Sequence, residues 1–191
     1  MIPKPFIDTH AYQQGHFRLR NGQHTNSFLQ CAYLVRDPKQ TQAICQQLAD
    51  LCAHSGAQVV IGPALGGMIF GYEISRMLGL AFLYTERKDK AMTMRRGFTL
   101  ARGTKVLIIE DVVTTGGSVR EIIEIVKALG GEVVMVAALA DRSGGKVDFS
   151  IPFVRLISIN VEKWQPDVCP LCAKDVPLEK PFSEPVGQVS P

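Results

Sequence analysis

Two adjacent carboxylates, Glu110 and Asp111, directly follow the apolar residues 106–109. That run is short and rich in β-branched side chains, which is typical of a strand buried on both faces of a parallel sheet. In open α/β sheets, ligands bind at the carboxyl ends of the strands. We therefore expect the acidic pair to lie at a ligand site, where it holds a cation or accepts hydrogen bonds from hydroxyl groups.

The loop after the acidic pair is suited to a phosphate group. Thr114, Thr115 and Ser118 offer hydroxyl donors, and Gly116 and Gly117 allow the backbone to come close to a ligand. The commoner nucleotide loops are excluded, because neither Gly-x-x-x-x-Gly-Lys-Ser/Thr nor Gly-x-Gly-x-x-Gly occurs in the chain.

Apolar residues at helical spacing predict a helix over residues 118–129, which two glycines then end. Ser118 and Glu121 fit a capping box at its start. Backbone N–H groups at the start of a helix attract phosphate. A sugar phosphate with a divalent metal ion would suit both the acids and the loop. The structural alternative is an ordinary turn between a strand and a capped helix, which the acidic pair disfavours.

This order of apolar strand, two acids and Thr- and Gly-rich loop resembles the phosphoribosyl pyrophosphate signature of the type I phosphoribosyltransferases. The resemblance implies an α/β fold with a central, mainly parallel sheet, flanking helices and a small N-terminal hood. It implies that the loop binds the 5-phosphate and that the acids lie near the ribose hydroxyls. Mg²⁺ is the implied cofactor, carried mainly by the substrate, so no protein residue is assigned to it.

Residues 86–97 are strongly basic, with five cations among twelve residues. Such a run fits a solvated face, a contact with RNA, or a mobile lid that neutralises a pyrophosphate leaving group and excludes water. We favour the lid, because in the family this loop reaches a neighbouring subunit's site. The best-matched positions are Arg87 and Lys88, and Lys90 is a candidate substitute for a His that many orotate enzymes have.

Two further segments resemble orotate phosphoribosyltransferases. Residues 15–30 predict a hairpin that turns near Asn21 and resemble the family's N-terminal block, which implies that Arg20 and Phe28 belong to the hood over the base. Arg142, of an Asp-Arg pair after a predicted strand, fits either an exposed salt bridge or bidentate binding of the orotate carboxylate. By contrast, Gly66 stands where some orotate enzymes have Lys, so any anion contact there would come from backbone.

Taken together, the resemblance implies catalytic roles for Asp111, Glu110, Arg87 and Lys88. The implied contacts with phosphoribosyl pyrophosphate are Arg87, Lys88, Glu110, Asp111, Val112, Val113, Thr114, Thr115, Gly116, Gly117 and Ser118. The implied contacts with orotate are Thr114, Arg142, Arg20 and Phe28.

The pair Cys169 and Cys172 forms a Cys-x-x-Cys motif, which is half of a zinc site. No two further ligands lie nearby in sequence, and another pair from a second subunit is one alternative. A redox role is a second possibility. We favour unpaired structural thiols, since the five cysteines of the chain are scattered and odd in number, which suits a reducing compartment.

Length and composition predict one domain. The chain has 191 residues, 46% of them hydrophobic, and a net charge of +3 that is too small to argue for nucleic acid. No apolar stretch approaches ~20 residues, so we expect no membrane association and a cytoplasmic protein. We divide the domain into a hood (1–36), an α/β core (37–160) and a tail (161–191). Other periodicities predict helices over 6–14, 37–54 and 68–78 and strands over 58–61, 81–85, 133–140 and 153–159.

The function that the resemblance implies is transfer of phosphoribosyl from phosphoribosyl pyrophosphate to orotate, within pyrimidine (UMP) biosynthesis. The products are orotidine 5'-monophosphate and pyrophosphate, and the enzyme is expected to be a homodimer with shared active sites. Two alternatives stay open. One is a purine-base phosphoribosyltransferase, which would not need Arg142. The other is a regulator that binds phosphoribosyl pyrophosphate without turnover.

Overall fold

The computed structural model describes residues 2–19 and 21–179, so Arg20 and the predicted end of the tail lie outside the described residues. In chain order the elements are α1 (Lys4–Asp8), β1 (Tyr12–Arg18), β2 (His24–Leu29), α2 (Ala32–Val35), α3 (Pro38–Cys52), β3 (Val59–Pro63), α4 (Gly66–Leu78), β4 (Ala81–Lys88), β5 (Ala91–Met94), β6 (Lys105–Val113), α5 (Gly117–Ala128), β7 (Glu132–Asp141), β8 (Phe153–Ser158) and β9 (Lys163–Trp164). Two short 3-10 turns follow at Pro166–Val168 and Cys172–Lys174. None of the helices in this described part is both long enough and apolar enough to span a bilayer.

The described residues form two compact units. One contains the described residues up to Gln40 together with those from Asn160, and the other is Thr41–Ile159. The segments expected to be hood and tail therefore share one unit.

The Thr41–Ile159 unit is built on a six-stranded sheet with the order β5-β4-β3-β6-β7-β8. All neighbouring strands are parallel except β5, which pairs antiparallel to β4 at the edge. The apolar runs of β6 and β7 are continuous because both faces of the sheet are covered. Ile108 packs in a core cluster with the apolar face of α5, whereas the next residue, Ile109, lies beside Gly71 of α4. The predicted α/β fold with a mainly parallel sheet is confirmed.

The central strand extends further than its apolar run. β6 continues to Val113, so Glu110 and Asp111 lie within the strand, near its carboxyl end, rather than after it. The ladder with β7 explains the extension, since Glu110 pairs with Ala138 and Val113 pairs with Asp141. Backbone pairing with a neighbour thus continues the strand through two polar residues.

The basic residues 86–97 also begin as regular structure. β4 continues through Lys88, turns at Asp89 and Lys90, which both have positive φ, and returns as β5. Met92 of β5 is buried in the core cluster. The expected loop is therefore in large part a β-hairpin at the edge of the sheet.

The other unit contains a three-stranded antiparallel sheet with the order β1-β2-β9. The predicted hairpin is confirmed, and Gly22 in its turn has a φ of +84° that favours glycine. The first helix was predicted too long. It ends at Asp8 because the Thr9 hydroxyl donates to the Pro5 carbonyl and His10 takes a positive φ, after which β1 begins.

Candidate active site

The acidic pair lies near the carboxyl end of β6, between its parallel neighbours β3 and β7. Glu110 is only 7% exposed, whereas Asp111 is half-buried. The Asp111 N–H contacts Glu110 Oε1 at 3.2 Å, and the Val112 N–H donates to Asp111 Oδ1 at 2.8 Å. These bonds hold both carboxyl groups close to the backbone at the strand end.

The environment of Glu110 favours its neutral form. Burial raises the pKa of Glu110 to about 9, and the negative charge of Asp111 adds to the rise. At neutral pH the Glu110 side chain is therefore in its protonated form. A cation or a hydroxyl-bearing ligand favours the charged form of Glu110. Binding of such a ligand would therefore release the proton from the Glu110 carboxyl group.

A cavity of about 60 Å³ lies beside Glu110, around the loop that leads into α5. Thr114 and Thr115 are exposed there, and the hydroxyl oxygen of Thr115 accepts from the Gly117 N–H at 3.4 Å. The lining residues are Glu110, Val112, Val113, Thr114, Thr115, Gly116, Gly117, Ser118 and Val119. The structure thus brings Glu110 together with the predicted loop residues, whereas Asp111 does not line this cavity.

The start of α5 differs from the prediction. Gly116 is the N-cap, with a φ of +75°, and this residue makes no side-chain cap bond. A Cβ at Gly116 would come within 2.9 Å of the Phe149 ring, so only glycine fits this turn. The predicted capping box of Ser118 and Glu121 is wrong. The Gly117 N–H donates to the Thr115 hydroxyl, and the other N–H groups at the start of α5 are suited to a bound anion.

Glu121 instead binds the edge hairpin. Its carboxylate accepts from Arg87 Nη2 at 2.7 Å and from the Met92 N–H at 3.0 Å, and the Arg87 guanidinium holds the pKa of Glu121 below its usual range. Arg87 also donates to the Lys90 carbonyl. Lys88 and Lys90 are exposed, and neither forms an ion pair among the described residues.

The first two residues of α4, Gly66 and Gly67, pack directly against the carboxyl end of β6. A Cβ placed on Gly66 would overlap the Asp111 carboxylate, and one on Gly67 would contact the Ile109 carbonyl at 2.6 Å. The absence of a side chain at Gly66 is therefore a packing requirement of Asp111. The sequence analysis identified this glycine only as a missing Lys and did not detect the contact.

Arg142 lies at the same edge of the sheet. The backbone N–H of Arg142 donates to the Val113 carbonyl at 2.8 Å. Arg142 therefore lies next to the last residue of β6, directly before the loop that lines the cavity. Asp141 has a local role, because its Oδ1 accepts from the Ser143 N–H at 2.8 Å while Oδ2 lies 3.9 Å from Arg155. Arg142 itself is half-buried.

The base-hood residues belong to the other unit. Phe28 is half-buried on β2, and its ring centroid lies 6.1 Å from that of Phe17. Arg20 falls outside the described residues. That unit also brings His16, His24, Cys169 and Cys172 together, a cluster that the sequence analysis did not detect beyond the Cys-x-x-Cys motif.

A parallel sheet whose strand ends carry an acidic pair and a phosphate-sized loop defines an α/β protein that binds a phosphorylated ligand. Comparison with known proteins identifies the family within this class. Residues 38–173 match the model of the phosphoribosyl transferase domain, and the chain belongs to this family. It is 49% identical to the orotate phosphoribosyltransferase of Desulforamulus reducens over 178 residues, which are 93% of each chain.

Solved structures show the same fold. The crystal structure of orotate phosphoribosyltransferase from Aeropyrum pernix matches with a TM-score of 0.71 and 21% identity, over 83% of this chain and 94% of that one. An adenine phosphoribosyltransferase from Thermoanaerobacter pseudethanolicus matches with a TM-score of 0.62 and 21% identity, over 70% and 88%. Fold alone therefore does not distinguish the base, and the choice depends on sequence and site.

Proposed function

We propose that this chain is an orotate phosphoribosyltransferase, which transfers phosphoribosyl from phosphoribosyl pyrophosphate to orotate and releases pyrophosphate. One observation carries the proposal: the acids of β6 adjoin a phosphate-sized loop in a chain that is 49% identical to a curated orotate enzyme over nearly its whole length. The product, orotidine 5'-monophosphate, is a pyrimidine nucleotide, so the reaction belongs to pyrimidine biosynthesis.

The 5-phosphate binds at the loop before α5. The cavity has room for a single phosphate-sized group, and the start of α5 and the exposed Thr114 and Thr115 hydroxyls supply donors. The ribose then extends toward Glu110 and Asp111, whose oxygens accept hydrogen bonds from its hydroxyl groups. Thr114 is close enough to the strand end to contact orotate as well.

Stabilisation of charge, rather than a covalent nucleophile, accounts for catalysis. Departure of pyrophosphate leaves positive charge on the anomeric carbon and ring oxygen, and a ring nitrogen of orotate forms the new bond to that carbon while its proton passes to the departing pyrophosphate. Asp111 and the ionised form of Glu110 stabilise that charge. Carboxylate and hydroxyl oxygens are the donor set that suits Mg²⁺, which the substrate mainly carries and which would offset the charge of the leaving group.

Orotate is recognised through its carboxylate. Arg142 adjoins the start of the phosphate loop, and a guanidinium can bind a carboxylate with two parallel hydrogen bonds. A purine base has no carboxylate, so Arg142 favours orotate over the purine alternative. Arg20 and Phe28 complete the base site from the hood.

Arg87 and Lys88 act on pyrophosphate. Arg87 is held by a solvent-exposed ion pair with Glu121, and because water screens such a pair, a pyrophosphate can compete for the guanidinium. We propose that these cations serve the active site of a second copy of the chain. Supporting this dimer, an apolar groove of about 420 Å³ is lined by Met68, Ile69, Tyr72, Phe82, Tyr84 and Phe98, and Tyr72 is 61% exposed.

The setting we propose is the cytoplasm, without nucleic-acid or membrane partners. Its support is that the five cysteines of the chain are scattered and odd in number, which suits a reducing compartment.

The test is substrate choice. Purified chain is incubated with phosphoribosyl pyrophosphate and Mg²⁺, and the loss of orotate is compared with the loss of adenine, guanine and hypoxanthine. We expect turnover of orotate alone. Turnover of a purine base would replace the proposal by the purine reading, and binding of phosphoribosyl pyrophosphate without turnover of any base would replace it by the regulator.

A further inference from the structure

Two histidines and two cysteines converge in the unit that contains β1, β2 and β9. The two histidines belong to the N-terminal hairpin, His16 on β1 and His24 on β2, whereas Cys169 and Cys172 flank the turn after Pro166–Val168. One ligand atom from each of the four residues lies within 4.8 Å of all the others. His16, His24 and Cys169 are at most 5% exposed, and Cys172 is half-buried.

Four of the separations lie close to those around one tetrahedral ion. His16 Nε2 lies 3.0 Å from His24 Nδ1, 3.4 Å from Cys169 Sγ and 3.7 Å from Cys172 Sγ. Cys172 Sγ lies 3.2 Å from His24 Nδ1. Around zinc, bond lengths of about 2.0–2.3 Å place neighbouring ligand atoms about 3.3–3.8 Å apart. The four side chains therefore need only small adjustments to share one ion.

The surroundings orient the ligands. The Nδ1–H of His16 donates to the Val176 carbonyl at 2.8 Å, which leaves the Nε2 lone pair directed at the cluster. The two thiols are presented by one tight turn, in which the Ala173 N–H donates to the Cys169 carbonyl. A bulge in β1 between Gln14 and Phe17 lets His16 be buried together with its neighbour Phe17.

We propose that His16, His24, Cys169 and Cys172 bind one structural zinc ion. Two thiolates and two neutral imidazoles balance the charge of Zn²⁺, so the filled site is neutral, as a buried site should be. Binding releases the two thiol protons. Four protein ligands leave no open position for a substrate, which marks the site as structural.

The ion would tie the C-terminal segment to the N-terminal hairpin. The backbone already makes contacts on both edges of that hairpin, since β9 pairs with β2 and the Arg18 N–H donates to the Glu179 carbonyl at 2.9 Å. The metal adds a cross-link from inside. The Cys-x-x-Cys motif is thus half of a site whose other half comes from the same chain, not from a second subunit.

Metal content is the first test. The full chain, purified without a histidine tag, should carry about one zinc ion per chain when its metal content is measured by inductively coupled plasma mass spectrometry. Cys169→Ser/Cys172→Ser and His16→Ala/His24→Ala should each retain less than a tenth of that content. The matched controls are Cys45→Ala, a buried thiol of α3, and His54→Ala, and both should retain all of it.

A second measurement uses the unaltered chain, in case a variant fails to fold. Chelator should remove the zinc and lower the Tm by at least about 5 °C, and added zinc should restore it. Cobalt added instead should give the visible bands of a tetrahedral site with thiolate ligands. A reduced chain that neither carries nor takes up zinc or cobalt would overturn the proposal, as would full zinc content in the double variants. Because none of these readouts involves orotate, they are independent of the proposed enzyme activity.

Discussion

Arg142 is the residue that most directly links the site to orotate. Arg142→Ala should raise the KM for orotate with little change in the KM for phosphoribosyl pyrophosphate. A charge-assisted bond to a carboxylate contributes roughly 1.5–3 kcal/mol, which corresponds to about 10- to 150-fold. Initial rates over a grid of both substrate concentrations measure the two constants.

The matched control is Arg155→Ala. The Arg155 side chain is 42% exposed, and its guanidinium lies near Asp141. This substitution should leave both constants near their starting values. Equal weakening of both substrates by Arg142→Ala would contradict the assignment of Arg142 to orotate.

Glu110 makes a pH-dependent contribution to stability. Between the pKa of an ordinary glutamate, 4.5, and its folded value of about 9, the folded chain holds a proton that the unfolded chain has released. The folded state therefore binds more protons, and the free energy of unfolding should fall as pH rises through this window, by up to about 1.4 kcal/mol per pH unit. Glu110→Gln should remove this part of the slope.

Denaturant unfolding of the ligand-free chain at a series of pH values provides the measurement. Asp111→Asn serves as a graded variant, because loss of the Asp111 charge should lower the pKa of Glu110 and end the window at a lower pH. An identical slope in wild type and Glu110→Gln would show that Glu110 ionises normally.

At the level of elements, the start of α4 is fitted to Asp111. Gly66→Ala places a methyl group where the Asp111 carboxylate lies, so the carboxylate must move. Displacement of a catalytic group by about 1 Å can cost roughly 100-fold in rate, and we expect a fall in kcat of that order with a small change in Tm.

The control for this substitution is Gly131→Ala. It crowds Val126 and the Thr104 carbonyl at the opposite ends of the strands, and it should lower the Tm while leaving kcat nearly unchanged. Full activity of Gly66→Ala would contradict the claim that Asp111 needs a residue without a side chain at this position.

The elements with a strong period were predictable from the sequence. The sheet strands were predicted because a short continuous apolar run indicates burial on both faces. The helix after the phosphate loop was predicted because its apolar side chains repeat at helical spacing, which indicates burial on one face. Boundaries were less predictable. β6 extends through Glu110 and Asp111 because backbone pairing with β7 does not require apolar side chains.

Other features depended on contacts that a local pattern does not contain. The bulge in β1 breaks the alternation that would otherwise place His16 and Phe17 on opposite faces. The partner of Glu121 proved to be Arg87 rather than the start of its own helix, because the edge hairpin folds over that helix. His16 and Cys169 are far apart in the chain, so neither predicts the other.

At the level of the whole molecule, the proposed dimer can be tested by mixing inactive chains. Asp111→Asn and Arg87→Ala/Lys88→Ala should each be nearly inactive. If the cations serve the partner's site, each mixed dimer has one site with both parts intact. An equal mixture should then recover about a quarter of wild-type activity, since half the dimers are mixed and each has one working site.

The control mixture pairs Asp111→Asn with a chain carrying all three substitutions, in which no site can be complete. It should remain inactive. Chains that demonstrably exchange subunits without recovering activity would mean that Arg87 and Lys88 act within their own chain or not at all, in keeping with the ion pair to Glu121.

The central claim is that the strand-end site of this chain joins phosphoribosyl to orotate. The most direct measurement quantifies both products, orotidine 5'-monophosphate and pyrophosphate, in one reaction with phosphoribosyl pyrophosphate, orotate and Mg²⁺. We predict that they appear in equal amounts, and that Asp111→Asn abolishes both while its Tm stays close to that of wild type. Pyrophosphate released without the nucleotide, or undiminished nucleotide from Asp111→Asn, would contradict the account.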